Sequence, residues 1–184
     1  MTRSQSESIP SELRIISDRS AEVWNFGVMP ATAMKTTALG RNADAVTQFS
    51  VFTPNRLGRL NELVKALGAH NVHVLALTVL DTTDSSIIRL VLDDPDKARG
   101  LLEQEGFAFT ESALVTVEVA SPDELARLIA ALLEAELNIN YLYSFIPHPH
   151  GKSIVGLSME DNDMAEQVLK RHQFPVLKQA DISR

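Results

Sequence analysis

The stretch from Asn55 to Phe107 recurs as the stretch from Pro122 to Phe174, with Leu60, Leu63 and Leu67 of the first falling on Leu125, Leu128 and Leu132 of the second. A self-similarity of this length marks one supersecondary unit present twice. In 184 residues with 45% hydrophobic content, the duplication favours two small cores over one large one. The chain divides accordingly into an extension over residues 1–44, a first unit over 45–112 and a second over 113–184.

Within the first unit, Val46–Phe52 is β-rich, and Thr53-Pro54-Asn55 interrupts it before a helical pattern of Leu57, Leu60, Leu63, Val64 and Leu67. Gly68-Ala69-His70-Asn71 closes that helix, and Val72–Leu80 and Ile87–Leu92 form a hairpin across the polar turn between them. Asp94 is placed to cap the next helix and Pro95 to occupy its first turn; Gly106 ends it, and Phe107–Glu111 is the closing strand. In the second unit, Ser121-Pro122-Asp123-Glu124 has the capping-box pattern ahead of an apolar stripe of Leu125, Leu128, Ile129, Leu132 and Leu133. Asn138–Ile146 and Ser153–Met159 form its hairpin, followed by a helix from about Asp163 to His172 and a strand from Phe174. Each copy reads β-α-β-β-α-β, which places two helices on one face of a four-stranded antiparallel sheet.

Seventeen basic against twenty-four acidic residues give a net charge of -7, with no Lys/Arg-rich block to track a phosphate backbone, so nucleic acid is excluded as a partner. The absence of cysteine removes disulfides and thiol chemistry. No apolar run approaches the ~20 residues that cross a bilayer, and Met1–Ser8 has no signal-peptide core, which reads as a soluble, cytoplasmic protein without a membrane partner. The extension carries the sole tryptophan, in Val23-Trp24-Asn25-Phe26-Gly27-Val28, and is read either as a partly disordered tail or as a segment packing on the main sheet.

The order of elements, together with Asn55-Arg56-Leu57-Gly58-Arg59-Leu60, resembles the ACT domain, whose loop between first strand and first helix reads Asn-Arg-Pro-Gly-hydrophobic-Leu. Tyr141-Leu142-Tyr143-Ser144-Phe145 adds to a likeness with stand-alone bacterial tandem ACT proteins. The resemblance implies an α+β fold of two ferredoxin-like units and a regulatory role in which a free amino acid binds at that loop. Such sites lie between two ACT units, so the second strand of a neighbouring unit completes them; the corresponding residues are His73 and Val74 in the first copy, and Asn138, Ile139 and Asn140 in the second.

The loop has the chemistry for this. An amino acid presents a carboxylate and an ammonium that both need partners away from water. Backbone amides at a helix start, at the positive end of its dipole, suit the carboxylate. Gly58 permits close approach, and the Asn55 side-chain oxygen can accept from the ammonium. Each residue also has a plainer role: Asn55 as an N-cap, Gly58 in packing, and Arg59 and His73 facing water. Leu57 stands where the family often has proline, and Thr53 where some members carry a ligand-contacting histidine. The second copy has no glycine in Ser121-Pro122-Asp123-Glu124 and two carboxylates at the helix start, so no equivalent site is expected there.

No enzyme is read from the sequence, and no cofactor or metal is implied. His148 and His150 lie in a proline-bounded turn with no third ligand identifiable. Gly151-Lys152-Ser153 lacks the first glycine of a phosphate-binding loop. The expected partners are a free amino acid and a second copy of the chain. The alternative is a ligand-free interaction module that regulates an enzyme of amino-acid metabolism through the Trp24 extension.

Overall fold

The structure is a computed structural model, and it describes residues 44–81, 85–146 and 153–183. The extension around Trp24 and the turn bearing His148 and His150 lie outside the described residues. The elements run β1 (Val46–Pro54), α1 (Arg59–Ala69), β2 (Val74–Asp81), β3 (Ser85–Leu92), α2 (Pro95–Gln104) and β4 (Ala108–Val119). Then follow α3 (Pro122–Glu134), β5 (Ile139–Ser144), β6 (Ser153–Met159), α4 (Asn162–Arg171), β7 (Val176–Leu177) and α5 (Gln179–Ile182).

Two separate four-stranded sheets are not what is seen. One seven-stranded sheet runs β2-β3-β1-β4-β6-β5, with β7 also on β4. The join is β4, twelve residues long: Ala108–Leu114 pairs with β1, and Val115–Val119 pairs with β6. The physical reason lies in its composition, since no glycine or proline interrupts the run from Ala108 to Val119. Nothing turns the chain, so the closing strand of the first copy continues as the opening strand of the second.

Alternation along β4 separates two faces. Phe109 joins the cluster under α1 and α2, built on Phe49, Leu63, Leu67, Leu90 and Leu102. Val115, Val117 and Val119 join the cluster under α3 and α4, built on Leu128, Leu132, Leu157 and Leu169. All four long helices therefore cover one face, as expected. The other face carries a third cluster of Val46, Ala76, Val91, Leu114, Tyr143, Phe145 and Ile182, drawn from both copies and from α5. The sheet curls toward this inner face until its edges touch: Ala76 bridges Phe145, and the amide of Ile146 donates to the carbonyl of Leu75 at 2.8 Å. Burying a side chain of this size contributes about 1.5–3 kcal/mol, so the third cluster ties the two copies together.

The repeat extends to the helix ends. Asp94, Ser121 and Asp161 cap α2, α3 and α4 by accepting from the amides of Lys97, Glu124 and Met164. The Glu124 carboxylate accepts from Ala120 N, one residue before the cap. At the other ends, Asn71, Gly106, Glu136 and Gln173 adopt positive φ. In each case the next residue (Val72, Phe107, Leu137, Phe174) donates its amide to Leu67, Leu102, Leu132 or Leu169. These are four copies of the left-handed helix stop with an apolar residue after it.

Candidate functional site

The β1–α1 loop is built on Gly58. This residue, not Asn55, is the N-cap of α1, with φ 95° and ψ −17°, and no side chain caps the helix there. A left-handed backbone at this point accounts for glycine. Asn55 instead ties the loop to the end of β2: its Nδ2 donates to Asp81 Oδ1 at 2.7 Å. Among the loop amides, Arg56 N donates to Pro54 O at 2.8 Å and Arg59 N to Arg56 O at 3.3 Å. The amides of Leu57, Gly58 and Leu60 find no acceptor among the described residues. Leu57 is not part of the helix and is fully exposed.

Arg59 does not simply face water. Its guanidinium lies over Phe107, 5.2 Å from the ring centroid, and bonds Glu62 at 2.7 Å. Thr53 is 3% exposed and hydrogen-bonds Ser86 at 3.0 Å under the helices, so it cannot do the work of a ligand-contacting histidine. At the second copy's helix start, Ser121 Oγ takes the Glu124 amide and Ser121 O takes that of Leu125.

Of the remaining sequence-predicted residues, His73 and Val74 stand apart from the loop within one chain. His73 precedes β2, at the end away from Asp81, about 25 Å along the strand at ordinary rise. Its amide and Nδ1 both bond Asp93, at 2.8 and 2.6 Å. Burial raises the Asp93 pKa, but the hydrogen bonds from His73 outweigh it and hold this carboxyl below the ordinary range. Val74 packs against the first helix-side cluster and Ile139 against the second. Asn138 and Asn140 are exposed beside the β5 bulge.

One polar constellation went unread in the sequence. Gln48 is wholly buried on the inner face, where its Nε2 donates to Tyr141 Oη at 2.8 Å and Ser112 Oγ at 3.0 Å, and its Oε1 accepts from Tyr143 Oη at 2.8 Å. Burial first, then the neighbouring Tyr141, pushes the Tyr143 phenol well above its usual value, so it stays a donor. The available signal was Tyr141-x-Tyr143, two hydroxyls on one face of a strand. Among the described residues no group of three or more acidic, histidine or cysteine side chains is arranged to hold a metal, and no helix is long and apolar enough to cross a membrane.

A family model described as an ACT domain pair matches residues 44–184. A comparison with curated proteins finds no match. Among solved structures, protein BT0572 from Bacteroides thetaiotaomicron is similar at 28% identity and a TM-score of 0.70, over 76% of this chain and 96% of that one. The regulatory subunit of aspartate kinase from Thermus thermophilus, in its ligand free form, aligns at 19% identity and a TM-score of 0.48, over 71% of this chain and 91% of that one. The model match covers every element from β1 to α5, and the chain belongs to the ACT domain pair family.

Proposed function

We propose that this chain is a regulatory protein that binds a free amino acid at the β1–α1 loop of its first copy, against an ACT unit of a second chain. The observation that carries it is the state of the loop: the amides of Leu57, Gly58 and Leu60, which find no acceptor among the described residues, stand at the start of α1 beside a wholly exposed Leu57. Amides at a helix start attract a carboxylate. An exposed leucine beside them suits a site closed by another surface.

Asn55, Arg56, Leu57 and Gly58 form the near wall in this proposal. His73 and Val74, or Asn138, Ile139 and Asn140, come from the neighbouring chain, because His73 and Val74 are too far away in their own unit. Val79, 43% exposed on the edge strand β2, supports self-association as a homodimer. The role is binding and not catalysis, and the setting is the cytoplasm.

The test is thermal unfolding of the full chain with each common amino acid in turn. Ligand at ~100 times its Kd contributes ~2.7 kcal/mol, so at least one amino acid is expected to raise Tm, and Asn55→Ala to abolish the rise. Silence across the panel, with an enzyme retained in pull-downs only when residues 1–44 are present, favours the ligand-free interaction module instead.

A further inference from the structure

Opposite the helices, the middle of the sheet is polar. Thr78, Arg89, Ser50 and Thr110 lie side by side across β2, β3, β1 and β4, and Gln48 and Ser112 follow in the next row. The Arg89 guanidinium sits 3.9 Å from the Tyr141 ring centroid, and its Nε is buried without a hydrogen-bond partner. No carboxylate pairs with Arg89 among the described residues. The acids on neighbouring strands are engaged elsewhere: Asp81 holds Asn55, and Glu111 holds Arg99 on the helix side. Glu118 shares the face of Ser112 but lies about 20 Å further along β4.

The direction of the hydrogen bonds then decides what this face can receive. Gln48 Oε1 is filled by Tyr143, and Gln48 Nε2 donates to the oxygens of Tyr141 and Ser112 and, at 3.4 Å, Ser50. A hydroxyl that accepts in this way turns its own hydrogen outward. None of these three hydroxyls has an acceptor for that hydrogen among the described residues. Arg89, Tyr141, Ser50 and Ser112 therefore make a group of donors with no acceptor among the described residues, and the Arg89 Nε, buried without a partner, is the one for which this is costly. Ser112 is exposed, so the group is open to solvent.

We propose that this inner face is a second ligand site, distinct from the β1–α1 loop, for a small carboxylate that has no ammonium group, such as a branched 2-oxo acid. Its carboxylate takes the Arg89 fork and the Tyr141 hydroxyl. Its apolar end lies on Phe52, Ile87 and Leu80, which occupy the next inward-facing row toward the loop end of the sheet, Phe52 and Leu80 being 44% and 42% exposed. An amino acid is disfavoured here: its ammonium would meet donors and a guanidinium. A single guanidinium likewise suits a monoanion better than phosphate.

The test is calorimetric titration of the full chain with 2-oxoisovalerate, L-valine and inorganic phosphate. The expected result is binding of 2-oxoisovalerate and not of the other two through this face, weakened about tenfold to hundredfold by Arg89→Gln and several-fold by Tyr141→Phe, and unchanged by Asn55→Ala. Tyr141→Phe keeps the ring under Arg89, so it reads the hydroxyl even where Arg89→Gln fails to fold. Absence of 2-oxoisovalerate binding at millimolar concentration, binding indifferent to both variants, or equally tight phosphate or L-valine binding that needs Arg89 would overturn the proposal. L-valine binding lost in Asn55→Ala and kept in Arg89→Gln belongs to the loop and confirms that the two sites are separate.

Discussion

Replacing Gly58 by alanine separates the backbone demand of the loop from its use as a binding site. At φ 95° an alanine is strained wherever its Cβ points, and the left-handed region costs an L-residue about 1–2 kcal/mol. No crowding adds to this, because a Cβ at Gly58 meets nothing within 4 Å. Gly106 offers a matched control: its φ is 71°, a Cβ there also meets nothing within 4 Å, and it ends α2 far along the chain from the loop. Both Gly58→Ala and Gly106→Ala should therefore lower stability by the same ~1–2 kcal/mol, or about 2–8 °C in Tm for a chain of this size. Urea unfolding followed by circular dichroism reads the loss directly. Only at Gly58 would the new methyl stand in the open space of the β1–α1 loop itself. The rise in Tm given by the bound amino acid should thus vanish in Gly58→Ala and persist in Gly106→Ala. If Gly58→Ala costs nothing, the loop backbone is not as described; if it keeps the full ligand response, those amides do not grip the ligand.

Other consequences follow from the packing. Gln48→Leu leaves the buried Tyr143 hydroxyl without its acceptor and should cost about 1–3 kcal/mol in urea unfolding, and adding Tyr143→Phe should then cost little further. Glu136→Gly relieves a left-handed glutamate at the end of α3 and should raise stability by about 0.5–1 kcal/mol, read as a higher urea midpoint at unchanged slope. Burial works against ionisation of both Asp93 and Glu166, but hydrogen bonds from His73 to the first, and from Lys170 and Lys178 to the second, leave both pKa values lowered. Their contribution is therefore fully present above the unfolded carboxylate values of about 4 and is lost as pH falls through the lower folded values. The urea midpoint should drop below pH ~4, and Glu166→Gln should flatten that drop while costing about 1.5–3 kcal/mol at neutral pH.

The helices were legible because their signals are local. Leu63 and Leu67, and their counterparts Leu128 and Leu132, are all buried, as the spacing requires, and Asp94 and Ser121 cap where a cap was read. The joined sheet was not legible in the same way. Whether Phe109 and Val115 belong to one strand or two depends on which edges they meet, and pairing between strands leaves no mark on the spacing of either. The N-cap of α1 was misplaced at Asn55 because an asparagine before an apolar run looks like a cap, whereas its amide is drawn to Asp81, 26 positions away. Gln48 was missed for the same reason. Its partners, Ser112, Tyr141 and Tyr143, lie 64 to 95 positions along the chain and are brought to it only when the sheet curls.

The most direct measurement is at the loop amides themselves. With the full chain labelled with nitrogen-15, the amide resonances of Leu57, Gly58 and Leu60 should shift and saturate as the amino acid found in the thermal panel is titrated, with the resonances flanking Arg89 unmoved. Saturable binding of that amino acid with all three loop amides unperturbed would contradict the central claim that they are the groups that hold it.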